Sequence, residues 1–361
     1  MYSIVNIINN MLQKYEKTRE TQKKTDFFFS LCTLFCNFAD MKVTIYEHAK
    51  QLPPLMEGSY FHSPRFMALC EQTEGERPYM AVAIANDGTP IAHLLAVEHK
   101  RSGWLPRFMH SHLRIMGEGV YRDNFPNEVS FGKMVEAITN HLRHKVLYIE
   151  FSHFSHKMFG YRALRHEGYF PVRWMNIHIS LHSRSPQERI QPKFLQHIEN
   201  AMKRGITTRI VTNEDDFQKA MHLLRHHMQL KPRRYLPKED FFKKMMQQGE
   251  CTIMITCFRE HVIGCSVTVY SDKDAYLWYS AALRKTYGYL RPHAVTIWQT
   301  ILLIHQQGYD HIRFVDVGLP FRRSIQRDFI LRFGGKEVSG YRWFRLSFRW
   351  LNQLASRLWR E

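Results

Sequence analysis

The chain has 361 residues, 44% of them apolar, and a formal net charge of +18 at pH 7. That length and apolar content exclude a disordered polypeptide and leave room for two domains with well-buried cores. A surface this basic suits polyanions (nucleic acid, anionic lipid, phosphate-bearing substrates) better than small neutral metabolites; a solvated, solubility-setting surface is the competing explanation.

The positive charge is uneven: residues 184–238 carry twelve Lys/Arg against five acids, and 284–345 carry eleven against four. Six cysteines show no zinc-like spacing, and three sit in apolar strand-like runs where a thiol acts as a small hydrophobe. A reduced, cytoplasmic setting follows. Histidine pairs such as His153/His156 and His226/His227 have no matching carboxylate or cysteine cluster, so no metal site is expected.

Residues 1–40 differ from the rest. The apolar run Phe27 to Ala39 is too short to span a bilayer, and it resembles a signal h-region without a convincing cleavage site. Met41 is a plausible natural start, so residues 1–40 are expected to be an extension outside the fold. From there the pattern predicts a hairpin over 78–99 with Asn86-Asp87-Gly88 as its turn, a strand near 107–116, a helix over 127–143, the strand KVLYIEFS, a helix ending at Gly168, and the strand YFPVRWMNIHISL. A Pro- and charge-rich segment, SRSPQERIQPKF, marks a boundary. A helix over 192–204 closes at Gly205, ITTRIV forms a strand, and Asn213 caps a helix with acids in its first turn.

The order then repeats: a hairpin over 251–271, strand DAYLWYSAAL, helix 292–307, strand HIRFVDV, a helix through RRSIQRDFILRFGG, and strand KEVSGYRWFRLSF. Gly168 and Gly335, Glu150 and Asp316, and Pro126 and Pro292 pair off at separations of 167, 166 and 166 residues. Loop lengths in unrelated segments drift, so these offsets argue for duplication. The expected architecture is two α/β copies on a mixed sheet with helices on both faces, over 41–183 and 184–348.

In the second copy a helix N-terminus follows a basic loop. Its unpaired N–H groups, with Arg284, Lys285 and Arg291 beside them and Gly288 for a left-handed turn or close approach, make a candidate phosphate site. Asp316 ends an otherwise apolar strand, as Glu150 does in the first copy; a carboxylate there is either hydrogen-bonded to the next turn or kept for proton transfer. Strict alternation puts Tyr276 and Trp278 on one face of the neighbouring strand and Tyr279 on the other. The latter phenol is either pocket wall or a candidate acid.

The order hairpin, strand, basic Gly loop, helix, strand, helix, Gly, strand resembles the GNAT acyltransferase fold, and YRALRHEGYF is similar to the passage near its end. Two copies, with SYFHSPRFMALCE, RIQPKFLQHIENAMKRGI and YGYLRPHAVTIWQTILLIHQQGYDHIRFVDVG, resemble the tandem arrangement of Fem-type aminoacyltransferases and their acyl-CoA-using relatives, over roughly residues 55–350. The resemblance implies transfer of an acyl or aminoacyl group to an amine. The donor, acyl-CoA or alternatively aminoacyl-tRNA, would lie between strands ending at Ala282 and Asp316, with its phosphates on Arg284, Lys285, Gly288 and Arg291. Asp316 would be the base and Tyr279 the weaker candidate acid, with Tyr276, Trp278 and Glu150 in the acceptor cleft.

The chain departs from the family at two places. RKTYGYL gives Lys285-x-x-Gly288-x-Leu290 in place of Arg/Gln-x-x-Gly-x-Gly/Ala, and Phe329 is followed by Ile330 where Fem-type members carry Phe-Lys before a Phe-Gly pair. The second departure disfavours a tRNA-borne donor. The first copy has GEGVYRDNFPNE at its loop, whose acids Glu118, Asp123 and Glu128 would repel phosphate, so only the second copy is expected to bind donor.

The tail, 349–361, is basic and amphipathic with Trp350 and Trp359, a composition suited to a membrane interface; the alternative is a helix docked on the domain. A membrane-surface helix fits a lipid-linked or glycan-precursor amine as acceptor. A non-catalytic, polyanion-binding duplicate is the remaining alternative.

Overall fold

The computed structural model describes residues 41–100, 110–123, 127–154, 158–229, 235–314 and 317–359. The proposed extension 1–40, Pro126 among the paired landmarks, and the candidate base Asp316 lie outside the described residues.

In chain order the elements are β1 (Lys42–Tyr46), α1 (Pro64–Glu71), β2 (Glu76–Ile84), β3 (Pro90–Lys100), β4 (Ser111–Met116), β5 (Val120–Tyr121), α2 (Asn127–Leu142), β6 (Tyr148–Ser152), α3 (Tyr161–His166) and β7 (Phe170–Ser180). The second half has α4 (Pro192–Lys203), β8 (Ile206–Ile210), α5 (Glu214–Gln229), α6 (Glu239–Gln247), β9 (Cys251–Phe258), β10 (His261–Ser271), β11 (Asp274–Ala282), α7 (Pro292–Gln306), β12 (His311–Phe314), α8 (Ile325–Leu331), β13 (Lys336–Leu346) and α9 (Arg349–Leu358).

Local chemistry explains several boundaries. Asp87 Oδ1 accepts the Thr89 amide at 2.9 Å and Gly88 takes φ +81°, which closes the β2–β3 turn. Asn213 Oδ1 accepts the Asp216 amide at 2.8 Å and so caps α5. Ser63 Oγ caps α1 through the Phe66 amide at 3.1 Å.

All strands join one mixed sheet in the order β1-β2-β3-β4-β6-β13-β7-β12-β11-β10-β9-β8, with β5 paired to β3. The order is nearly palindromic about the β13–β7 pair, and there the two copies exchange strands. The last strand of the second copy, β13, pairs with β6 of the first, and β7 of the first pairs with β12 of the second. A division of the sequence at 183/184 therefore does not divide the sheet in space.

The cores follow the same symmetry. Helix α2 covers the outer face of the first copy over Ala81, Leu94, Leu113 and Ile149, a cluster that also takes Trp343 from β13. Helix α7 covers the second copy over Ile263, Leu277 and Ile312, joined by Ile177 and Ile179 from β7. On the opposite face α1, α5 and α6 fill one shared core between the copies, with Phe61, Phe66, Phe217, Phe241 and Tyr276. Burying each such aromatic contributes about 2–3 kcal/mol, so the shared core fixes the copies against each other. Among the described residues no helix is long and apolar enough to cross a membrane.

Candidate active site

A gap between parallel strands creates the site. Among the described residues β11 and β12 pair over Asp274–Tyr276 with His311–Arg313. Asp274 clamps this closed end, accepting from Arg313 Nε at 2.5 Å with His311 Nδ1 3.0 Å away. β11 then continues to Ala282 with β10 on its other side, and a slot separates its Trp278–Ser280 stretch from Phe314 and Val317, a V between the strands. The corresponding strands of the first copy do not open: β4 and β6 stay paired over His112–Met116 with Tyr148–Ser152, and the Gly117 amide extends the ladder to the Ser152 carbonyl at 2.9 Å.

A cavity of about 440 Å³ lies at the wide end of the V. Arg284, Arg291 and Arg332 line it with Phe194, Gly288, His293, Ile325 and Phe329, and no acid is among the described lining residues. Helix α7 is held on the sheet by an unusually close approach at Gly264, where a Cβ would sit 2.4 Å from Thr296 Oγ1. Hydroxyl pairs Thr256–Thr296 at 2.6 Å and Ser266–Thr300 at 2.7 Å fix its rotation. The result is a rigid helix start beside three guanidinium groups, an arrangement that recognises phosphate.

The cavity narrows into a slot lined by Trp278, Tyr279, Ser280, His293, Phe314, Val317 and Gln326. A bulge in β11 shapes it: Tyr279 pairs with Val267 and Leu277 with Thr268, leaving Trp278 as the extra residue. Trp278 Nε1 is buried with no hydrogen-bond partner, a donor that a bound carbonyl would satisfy. Ser280 Oγ lies 3.1 Å from His293 Nε2, and the His293 ring stacks on Phe329 at 4.7 Å.

Beyond the slot, a second cavity of about 130 Å³ lies between the two copies. Its aromatic side is Phe61, Phe66, Phe241, Trp278 and Tyr279; its polar side holds Glu76, His99, His112, Arg114, Glu150 and Arg342. Glu150 Oε1 is 3.2 Å from Arg342 Nη1 and 3.7 Å from Arg114 Nε. Ser280, His293 and Gln326 line both the arginine cavity and the slot, and Trp278 and Tyr279 line both the slot and the inner chamber. Among the described residues no group of three or more His, Cys, Asp or Glu side chains could hold a metal ion.

Of the residues singled out in the sequence, Arg284, Gly288 and Arg291 line the outer cavity, Trp278 and Tyr279 the slot, and Trp278, Tyr279 and Glu150 the inner cavity. Lys285 is exposed beside the outer cavity and is not part of its lining. Tyr276 is buried in the shared core, edge-on to Phe61 at 5.1 Å, and its burial holds the phenol well above the usual range. Alternation fails at the bulge, so Trp278 and Tyr279 face the same chamber. The Tyr279 hydroxyl donates to the Tyr235 main-chain carbonyl at 2.8 Å, which makes it a strut of the wall.

The left-handed residue is also not the expected one. Gly288 opens a tight turn without positive φ, whereas Arg291 takes φ +47°. Pro292 follows and disfavours the right-handed helical region for the residue before it. Arg332, His293 and Ser280 were missed, as were Arg114, Arg342, Glu76 and His99. Only His293, directly after a helix-starting proline, carried a local signal.

Residues 193–323 match the family model described as an acetyltransferase (GNAT) domain. In fold the chain is similar to FemX (10% identity, 86% of this chain and 96% of that one, TM-score 0.56). It is also similar to L-PGS from Bacillus licheniformis (12% identity, 81% and 92%, TM-score 0.54). A tandem GNAT protein from the clavulanic acid biosynthesis pathway aligns at 7% identity over 85% of this chain and 99% of that one, TM-score 0.51. No curated protein matches the chain in sequence. Residues 193–323 thus resemble an acetyltransferase (GNAT) domain, and the chain has the fold of tandem GNAT proteins.

Proposed function

We propose that the chain is an N-acyltransferase that moves an acyl group from acyl-CoA to an amine held between the two copies. The observation that carries this reading is the succession of cavities with shared walls: a cavity whose described lining has three arginines and no acid, a slot with an unpartnered indole N–H in its wall, and a chamber with a polar side next to it. The donor's phosphates would lie on Arg284, Arg291 and Arg332, and its carbonyl in the slot near Trp278 Nε1. Charge developing on that oxygen would be stabilised there, a type of contribution worth several kcal/mol of barrier. The Ser280–His293 pair is placed to give a proton to the departing thiolate. Asp316 remains a candidate base, and the flanking Phe314 and Val317 line the slot. The first copy, with β4 and β6 closed, would contribute acceptor contacts and no donor site.

Gly288 offers a clean test. A Cβ there would meet nothing within 4 Å and its φ is not left-handed, so Gly288→Val should leave the melting temperature within about 2 °C. In the cavity the same side chain would occupy donor space, and the CoA dissociation constant should rise about ten-fold or more. Calorimetric titration with CoA and thermal melting measure both, and unchanged CoA affinity would remove Gly288 from the donor site. The net charge of +18 keeps aminoacyl-tRNA as the second reading of the donor. Retention of charged tRNA on a filter, with no affinity for CoA thioesters, would favour it.

The protein is proposed to act in the cytoplasm against an anionic membrane face, on a lipid-linked or glycan-precursor amine. Helix α9 buries none of its residues, with Trp350 67%, Leu354 50% and Leu358 74% exposed. Trp359 contacts Phe321 at 6.1 Å, which joins the helix to the exposed Phe321 and Ile325 and to Arg322 and Arg323. Each arginine near an anionic surface is worth about 1 kcal/mol. A 1–348 truncation, which loses Arg349, Arg357 and Arg360 against one acid, Glu361, should bind phosphatidylglycerol vesicles at least about 30-fold more weakly in co-sedimentation. Equal binding by both chains would reject the membrane role.

A further inference from the structure

Four polar residues form a row across neighbouring strands of the first copy. Glu76 on β2 lies opposite His99 on β3, His99 opposite His112 on β4, and His112 opposite Tyr148 on β6. All four line the inner cavity. Glu76 Oε2 is 2.5 Å from His99 Nδ1, the carboxylate side chain 1% exposed and the imidazole 15%. Tyr235 donates its hydroxyl to the other oxygen, Oε1. Burial, with the Glu76 charge beside it, pushes the Tyr235 phenol far up, so it remains a donor. The His99 ring packs against Tyr235 at 4.6 Å and His112 at 5.1 Å, and His112 stacks on Tyr148 at 5.0 Å.

A carboxylate this deep is expensive unless its contacts have a use. Here they order an imidazole. The Glu76 carboxylate lies against the Nδ1 edge without a well-formed hydrogen bond, and its charge favours a proton on Nδ1, which leaves the basic lone pair on Nε2. The same Tyr235 that packs on His99 accepts the Tyr279 hydroxyl through its main-chain carbonyl, so the imidazole lies one residue from the slot wall. Glu150, the other acid of the chamber, already holds Arg342 and the Ser152 hydroxyl on its Oε1.

We propose that His99 is the base that deprotonates the acceptor amine in this chamber, and that Glu76 is a positioning residue whose charge at the Nδ1 edge favours the tautomer with a free Nε2. The assignment rests on the acyl-CoA reading. The acceptor ammonium gives one proton to His99 Nε2, and the freed nitrogen lone pair forms the C–N bond to the thioester carbonyl. Collapse of the adduct breaks the C–S bond; the nitrogen's second proton leaves, and the thiolate is protonated through Ser280 and His293. The products are an amide, free CoA thiol and one net proton, which passes from His99 to solvent beside His112. The groups that face His99 are Glu76, Tyr235 and His112, with Arg114, Glu150 and Arg342 across the chamber. The neutral ring is the active form, so a loss of rate on the acid side of the pH profile is the readout expected of this base.

The test uses full-length wild type, His99→Gln, Glu76→Gln and Asp316→Asn with acetyl-CoA. Ethanolamine, protonated at neutral pH, and hydroxylamine, which is not, serve as probe nucleophiles; thiol release is followed against pH and acetyl-CoA binding by calorimetry. His99→Gln should bind acetyl-CoA within about two-fold of wild type, lose about 10²–10⁴-fold in kcat with ethanolamine and lack the acidic limb. Its hydroxylamine rate should fall less than about ten-fold. Glu76→Gln should give a smaller loss with a displaced acidic limb, and it carries the test if His99→Gln does not fold. Retention of rate and acidic limb by His99→Gln, or their loss in Asp316→Asn alone, would overturn the assignment. Wild type that binds acetyl-CoA but releases thiol to neither nucleophile also overturns it, leaving the donor site standing. Absence of acetyl-CoA binding overturns the reading beneath both.

Discussion

Reversing two charges at the outer cavity, Arg284→Glu with Arg332→Glu, is expected to raise the dissociation constant for CoA and acetyl-CoA by about 10³-fold. Three guanidinium groups line that cavity with no acid among its described lining residues, so the site's affinity for a polyphosphate rests on them. A hydrogen bond from a guanidinium to a phosphate oxygen is worth about 1.5–3 kcal/mol. The lower figure applies because Arg284 is exposed, and repulsion from the introduced carboxylates adds about 1 kcal/mol in all. The total is about 4 kcal/mol, or three decades. Stability should move little, because Arg284 is on the surface and Arg332 adds only a contact over the Phe194 ring at 5.5 Å. Calorimetric titration at low and moderate salt reads the binding, and thermal melting reads the fold. A double variant that binds CoA within threefold of wild type would place the donor elsewhere.

What the sequence made legible was local. The Asn86-Asp87-Gly88 turn, the Asn213 cap and the apolar periodicity of each copy describe interactions within a few residues, and they predict the observed hairpins and helices closely. Helix α6 was missed although Glu239 and Asp240 mark its first turn. The strand exchange was not legible, because β7 and β13 are both eleven residues long and nothing in either states which copy it will join. The site was half legible for the same reason. Arg284 and Arg291 flank a helix start and can be read from the sequence, whereas Arg332 reaches the cavity only through the docking of α8. Glu76, His99 and His112 look like ordinary polar positions of separate strands until the ladder sets them side by side. One bulged residue, Trp278, was enough to defeat the alternation that separated Tyr279 from its neighbours.

The exchange makes the inner chamber part of the fold's stability, and Glu150→Leu is expected to show this. Glu150 is 8% exposed on β6, with Arg114 from β4 on one side and Arg342 from the exchanged β13 on the other. Arg342 is itself buried, and its guanidinium lies 4.1 Å from the Trp174 ring of β7. One carboxylate thus ties strands from both copies at the crossover. Removing it leaves two guanidinium groups facing each other in a poorly solvated chamber, a loss of about 3–5 kcal/mol. At about 2–4 °C per kcal/mol for a chain of this class, the melting temperature should fall by roughly 10 °C. Adding Arg342→Met should recover a substantial part, because an apolar replacement of a buried ion pair is often neutral, while a variant that loses packing alone would not be rescued. Urea unfolding followed by tryptophan fluorescence reads both variants. If Glu150→Leu stays within about 1 kcal/mol of wild type, the ladder alone holds β13 in the first copy, and the two arginines are there for an anionic group on the acceptor.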